Sequence, residues 1–200
     1  MNGHNYIKPL IEQFLRDPVT PDRLWSVQGF GMLRTYFGPN NDRKRFRLNL
    51  WDPTLAVPNV STIHDHPWHF ESTIVAGVFI NQRYTILPPE EYGCPTHTFT
   101  TIKTGEGGGI VKSEFQNVAL RAGRPEVYEG GAVYSQASDE VHESIPVRGT
   151  ITLNERTRVG DGEHARVFWP IGTDWVDAEP REATFAEVCN AIQYTLKRWF

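Results

Sequence analysis

Cysteine is scarce: only Cys94 and Cys189 occur in 200 residues, and they lie far apart. That excludes a disulfide framework and fits a reducing compartment. Basic residues are in no excess, the net charge being -4, and the one basic cluster, Arg43-Lys44-Arg45-Phe46-Arg47, reads as a turn running into a strand. No nucleic-acid or anionic-membrane partner is therefore expected. No apolar run approaches the roughly 18 residues that a membrane helix needs. Met1 to Asp17 contains neither an apolar core nor a small-residue cleavage site, so a cytoplasmic protein is expected. Internal repeats and low-complexity tracts are missing too.

What is present is turn chemistry and β-rich texture. Seventeen glycines and 14 prolines separate short runs of β-branched and aromatic residues, the pattern of a sandwich or barrel. Hydrophobic residues make up 39% of the chain, enough for one sizeable core, so a single domain over 1–200 is expected. Its parts are a helix within 1–20, a β-barrel over 30–172 and a helix over 182–200. The first helix rests on Tyr6, Ile7, Leu10, Ile11, Phe14 and Leu15, ahead of Asp17-Pro18. The last begins with the capping-box pattern Thr184-Phe185-Ala186-Glu187 and sets Phe185, Val188, Ile192, Leu196 and Trp199 along one face. Expected strands between them include Gly31 to Phe37, Arg45 to Trp51, Val60 to His64, Ser72 to Ile80, Gln82 to Ile86, Thr96 to Ile102, Val118 to Arg121, Ala132 to Gln136, Val141 to Pro146, Gly149 to Asn154 and Val167 to Trp169. Lys103 to Asn117, with Gly105-Glu106-Gly107-Gly108-Gly109 inside it, reads as a loop or hairpin excursion.

Histidine is concentrated. The run His64-Asp65-His66-Pro67-Trp68-His69-Phe70-Glu71 holds three of the chain's seven histidines and two carboxylates. Two imidazoles two residues apart on an extended segment point to the same side, which makes His64 and His66 a pincer for a first-row transition metal. Glu71 follows five residues after His66, and Gly77 closes the run. About seventy residues later, Glu129-Gly130-Gly131-Ala132 leads through a strand and the turn Ala137-Ser138-Asp139-Glu140 to His142.

This arrangement resembles the cupin superfamily, whose first motif supplies two histidines and a glutamate and whose second supplies a third histidine. The resemblance covers roughly Arg45 to Arg156. It implies an all-β double-stranded β-helix, or jelly-roll barrel, with a short helix at each end, and a metal held by His64, His66, Glu71 and His142. Fe(II) is the expected metal, with Zn, Mn or Ni compatible with the same donors. Ile63-His64-Asp65-His66 looks most like the thiol dioxygenases, and the longer phrase from His64 to Phe70 resembles a group of bacterial and phage cupins of no assigned substrate. In thiol dioxygenases an arginine on an early strand pairs with the substrate carboxylate; Arg34 is the natural match and Arg47 the competitor. Thr152-Leu153-Asn154-Glu155-Arg156 lacks the tyrosine those enzymes place after the last histidine, which points away from cysteine dioxygenase itself.

The resemblance implies a non-heme iron dioxygenase acting on a small polar or thiol-containing substrate, and a homodimer. Trp68, Tyr134, Asn154 and Arg156 complete the expected substrate-binding set, with Gln136 beside Tyr134 as an outer donor, and Glu71 is either a fourth ligand or a nearby base. Asp65 is expected to brace the turn. Three other readings share these residues. One is a 2-oxoglutarate-dependent oxygenase built on His69, Glu71, His142 and Arg156. Another is a metal-dependent isomerase or lyase with Glu71 or Glu155 carrying the proton. The last is a non-catalytic ligand-binding barrel.

Overall fold

The structure, a computed structural model, describes residues 16, 24–41, 44–88, 91, 93–104, 110–158, 164–176 and 178–200. The helix expected within 1–20 and the glycine-rich stretch 105–109 fall outside the described residues. Along the chain run β1 (Ser26–Gln28), β2 (Met32–Asn41), β3 (Lys44–Trp51), β4 (Ile63–His64), β5 (Trp68–Ala76), β6 (Val78–Leu87), β7 (His97–Thr104) and β8 (Ile110–Lys112). They are followed by β9 (Gln116–Ala122), β10 (Glu126–Glu129), β11 (Val133–Gln136), β12 (His142–Pro146), β13 (Ile151–Arg158), β14 (Ala165–Pro170), β15 (Arg181–Glu182) and a helix, α1 (Phe185–Trp199).

Two antiparallel sheets face each other. One has the order β11-β5-β13-β3-β2-β1-β15, the other β10-β6-β12-β4-β14-β7-β8. Their shared centre, β3-β13-β5-β11 against β4-β12-β6-β10, is the strand order of a jelly roll, in which each hairpin hands its strands alternately to the two sheets. The fold is thus the all-β double-stranded β-helix expected, and it rests on hydrogen-bonded strand order rather than on outline. β10, which had no counterpart among the expected strands, is the edge that completes the second sheet through Val127 opposite Ile80.

The long strand expected from Ser72 to Ile80 is two strands. Gly77 has a φ of +94°, and a Cβ there would lie 2.5 Å from Thr150 Oγ1 and 2.8 Å from Thr150 Cα. Only glycine meets both conditions, so the chain turns at this point and passes from one sheet to the other.

The sheet carrying β3 is buried on both faces. Leu33, Leu48, Leu50 and Ile151 face outward beneath Val188, Ala191 and Ile192 of α1. The opposite parity of the same strands turns Arg34, Arg47, Asn49, Trp51, Thr152 and Asn154 toward the barrel interior. The capping box on α1 forms as expected, Thr184 Oγ1 accepting from the Glu187 N–H at 3.2 Å and Glu187 accepting from the Thr184 N–H at 2.9 Å. Its buried stripe is Val188, Ala191, Ile192 and Thr195, however, and Phe185 is 66% exposed. The stripe is rotated because Gly149, seated under α1 with φ +83°, brings the chain within reach of Thr195, whose hydroxyl donates to the Gly149 carbonyl at 3.1 Å.

The second sheet also closes on itself. β6 pairs with β12, β12 with β4, β4 with β14, β14 with β7, β7 with β9, and β9 returns to β6. These six strands form a small antiparallel barrel that shares the wall β4-β12-β6 with the jelly roll. Ile63, Phe99, Leu120, Val141 and Phe168 pack together as its core, with Tyr84, Ile86 and Val118 against them. Lys103 to Asn117 contributes β8 and the start of β9, so its described ends are hairpin rather than loop.

Candidate metal centre

His142 and His64 are register partners on β12 and β4, so their side chains emerge on the same face of the shared wall, into the jelly roll. His66 follows on the extended segment beyond β4. Its Nε2 lies 3.2 Å from His142 Nε2, and the donor atoms of the three imidazoles all fall within 4.8 Å of one another. Metal–nitrogen bonds of about 2.0–2.1 Å at tetrahedral to octahedral angles place ligand nitrogens about 2.8–3.4 Å apart, so the His66–His142 pair already has the spacing of two ligands on one ion.

Two of the three ring tautomers are dictated by carbonyl groups. His64 Nδ1 is 2.9 Å from the Thr62 carbonyl, which can only accept, so Nδ1 carries the proton and Nε2 offers its lone pair. For His142 the constraint travels through two amides. Gln136 Nε2 donates to the Glu140 carbonyl at 3.1 Å, Gln136 Oε1 accepts from Asn81 Nδ2 at 3.1 Å, and Asn81 Oδ1 accepts from His142 Nδ1 at 2.8 Å. A backbone oxygen at the end of the chain orients every group before it and leaves His142 Nε2 unprotonated. Burial lowers the pKa of His64 and lowers those of His66 and His142 further, with neighbouring imidazoles and Arg47 adding to the effect. Three neutral nitrogen donors could hold a metal here.

Asp65 faces away from the imidazoles, as expected of a brace. Its carboxylate accepts from the Arg166 N–H at 2.5 Å and from Arg166 Nε at 2.6 Å. Arg166 Nη2 donates to the Asp139 carbonyl at 3.2 Å, and the Asp139 N–H donates to the His66 carbonyl at 3.1 Å. One arginine thereby clamps the His64–His66 segment to the turn that precedes His142.

The imidazoles border a cavity of about 300 Å³ that is also lined by Arg34, Arg47, Trp68, Tyr134 and Asn154. Phe30 stacks on His64 at 5.9 Å between ring centroids, Trp68 stacks on His66 at 5.7 Å, and Phe70 meets His66 edge-on at 5.2 Å. Asn154 Oδ1 accepts from Asn49 Nδ2 at 2.9 Å and from Ser72 Oγ at 3.3 Å. Tyr134 is 6% exposed and hydrogen-bonded to Ser72, and its burial pushes the phenol pKa up. Arg156 does not line the cavity. Its guanidinium carbon sits 4.5 Å over the Trp68 ring and 5.4 Å over Tyr36, on the same inward face of β13 as Asn154.

Glu71 is not brought to the imidazoles. On β5 the inward positions are Trp68, Phe70, Ser72 and Ile74, and strand parity puts His69 and Glu71 on the exposed outer face. There they border an open groove of about 500 Å³ with Ser135 and Glu155. His69 Nδ1 accepts from the Ser138 N–H at 3.1 Å and steadies the turn. The ligand or base role expected for Glu71, the facial triad of His69, Glu71 and His142, and a proton-carrying Glu155 are all corrected by this one fact of parity. Asn81, which sequence reasoning missed, had a signal: it is the single amide in the apolar run Val78-Phe79-Ile80-Asn81, a polar residue that must find a partner if buried.

No family model and no curated protein matches this chain. Among solved structures, an RmlC-like cupin from Shewanella frigidimarina is similar, with 12% identity and a TM-score of 0.37, over 72% of this chain and 91% of that one. The strand order described above, not this distant likeness, carries the fold. Among the described residues, no helix is long and apolar enough to cross a membrane.

Proposed function

We propose that the protein is a metal-dependent cupin enzyme in which His64, His66 and His142 hold Fe(II), and that it oxidises a small polar substrate with O2. The observation that carries the reading is the convergence of three buried imidazoles on one cavity, two of them, His64 and His142, with their tautomers set by backbone carbonyls. A bound iron would supply open positions at which substrate and O2 react. Incorporation of both oxygen atoms draws all four electrons from the substrate, so no outside reductant is required. Phe30, Trp68 and Phe70 exclude water from the imidazoles, and Asp65 with Arg166 holds their spacing.

Proton-transfer chemistry is less well served. Asp65, the one acidic residue on the cavity among the described residues, is 1% exposed and fully engaged by Arg166, and burial disfavours ionisation of Tyr134. An isomerase or lyase needs a group that can give up and regain a proton near pH 7. An oxidation initiated at the metal does not.

Metal analysis of untagged protein, followed by anaerobic Fe(II) loading and O2-uptake assays against thiols and small acids, tests the proposal. Stoichiometric metal that disappears in His142→Ala, with substrate-dependent uptake in the wild type, is expected. Tight zinc with no uptake against any substrate would overturn the oxidase reading, and metal retained by His142→Ala would overturn the centre.

A further inference from the structure

The cavity beside the imidazoles has an unbalanced charge. Arg47 enters it from the centre of β3, and Asp65 is the only acid on the lining among the described residues, already held by two Arg166 donors. Among the described residues Arg47 forms no ion pair: its guanidinium meets the Tyr36 hydroxyl, while Nε, buried, has no hydrogen-bond partner. A second lining donor, Gln28 Nε2, is likewise buried and unpartnered. Asn154 adds a third, since its Oδ1 is taken up by Asn49 and Ser72, which leaves its amide N–H groups for the cavity. Arg34 lines the same space, anchored through its Nε to Ser26 Oγ at 3.1 Å.

A buried guanidinium without a counter-ion is costly, and removing such a charge from water is compensated only by an opposite charge with good geometry. Three neutral imidazoles contribute no negative charge, so a divalent cation on them would raise the excess further. A single carboxylate would neutralise Arg47 and leave both charges of the metal uncompensated, whereas a dianion would pair one charge with Arg47 and offset part of the metal's. An amino-acid ligand brings an ammonium group for which the cavity has no acceptor carboxylate. At about 30 Å³ per water-sized group the cavity holds on the order of ten such groups, which suits a short-chain molecule and excludes a nucleotide.

We infer that the site selects a small dianion without a positive charge, a dicarboxylate or a phosphorylated acid. One acidic group pairs with Arg47, Gln28 and Asn154, and the other lies toward His64, His66 and His142. This rests on the metal-centre reading for the second group and on Arg47 alone for the first, so the two can fail separately. It also departs from the amino-acid thiols that the His-Asp-His resemblance suggests, because the charge balance of this cavity disfavours a zwitterion.

Calorimetric titration of Fe(II)-loaded protein under anaerobic conditions with malonate, succinate, inorganic phosphate, cysteine and glycerol tests the inference. Malonate or succinate, or phosphate, should bind at least tenfold tighter than cysteine, and Arg47→Gln should lose at least tenfold of that affinity. Tighter binding of carboxylate than of phosphate, or the reverse, assigns the source of the anion. Arg47→Met guards against a folding defect: without ligand its thermal midpoint should equal or exceed the wild type's, while its malonate-induced shift vanishes. Cysteine binding as tightly as malonate, anion affinity unchanged in Arg47→Gln, or a clear fall in the ligand-free midpoint of Arg47→Met would each overturn the inference. Metal content of the same samples reports on the other reading: a metal-free protein that still binds malonate through Arg47 overturns the centre and leaves the charge selectivity standing.

Discussion

The wall β4-β12-β6 separates two interiors of opposite character, and adjacent residues belong to different ones. His142 and His64 look into the jelly roll, while Glu143 and Ile63, also register partners, look into the small six-stranded barrel. In the small barrel the side chains are apolar or satisfied: Glu143 accepts from Tyr84 Oη at 3.0 Å and from Thr62 Oγ1. In the jelly roll, Arg47 and Gln28 each keep a buried donor without a hydrogen-bond partner among the described residues. A saturated interior serves stability, and departures from saturation are where function is expected to outweigh it. The comparison also explains why Glu143, one residue from a metal-binding position, plays no part there: period-two alternation places its carboxylate on the far side of the sheet.

Paired substitutions across the wall give the largest expected effects. His142→Ala should lower metal affinity by at least about 100-fold, beyond the roughly 10–100-fold typical of groups that only orient a ligand, while costing the chelated protein less stability than a core truncation, about 1–3 kcal/mol for the Asn81 acceptor it leaves unpaired. Phe168→Ala, at a position 0% exposed in the small-barrel core, should cost roughly 3–5 kcal/mol of stability by leaving a cavity. Its metal affinity, measured below the unfolding temperature, should stay close to wild type. Loss of metal and stability together in both variants would mean that the two interiors are one cooperative site.

Orienting groups come next. Asn81→Leu frees His142 to take the other tautomer, and Arg166→Gln releases both the His64–His66 segment and the Asp139 turn. Each should weaken metal binding by roughly 10–100-fold, read by competition with a chromophoric chelator, and Arg166→Lys should restore less than half of the loss because it cannot donate from two edges. Unchanged affinity in both variants would show that the imidazoles are held by packing alone.

Much of this was readable from residue order, for reasons that are local. His64 and His66 share a side because the segment is extended, and α1 begins where its capping box says. Short β-rich runs between turns point to a sandwich or barrel, while the jelly roll and the role of His142 are what the resemblance to the cupin motifs implies. What was not readable depends on parity and pairing. Glu71 sits five residues from His66, and whether it faces in or out depends on where β5 begins, a question that Pro67 and the bend before Trp68 settle in space. The closed six-stranded barrel depends on β9 joining β6 to β7 across an excursion, and no periodicity within a strand reports its neighbour. Arg47 could be named a candidate from its residue type alone, but that it forms no ion pair among the described residues is visible only in the fold.

Acid should act on the two interiors unequally. Unfolded imidazoles titrate near about pH 6.5, and in the folded chain burial holds His64, His66 and His142 below that. Between the lowered values and about 6.5 the unfolded chain binds more protons than the folded one, so stability rises with pH across that window. It is complete above about 6.5 and declines as pH falls beneath it. Urea titrations of the chelated protein between pH 8 and pH 5 should show this decline, and His142→Ala should reduce its slope. An equal slope in both proteins would mean that His142 is not neutral in the folded state.

The smallest effect is expected on the outer face of β5, and it is the sharpest on assignment. Glu71 and His69 lie within a few residues of His66, and the resemblances to known motifs imply a ligand role for the first and a triad role for the second. Strand parity instead places both on the exposed side, with Ser135 opposite Glu71 in register on β11. Glu71→Gln and His69→Gln should therefore leave metal content within about twofold of wild type, since surface substitutions usually change stability by no more than about 0.5 kcal/mol. His69→Gln should do slightly more, because Ser138 loses an acceptor at the turn leading to His142. Loss of metal in Glu71→Gln would require β5 to slip by one residue. Such a slip would turn Phe70, Ser72 and Ile74 out to solvent and empty the jelly-roll core, so the variant's unfolding midpoint, measured alongside its metal content, decides between a shifted strand and a misassigned ligand.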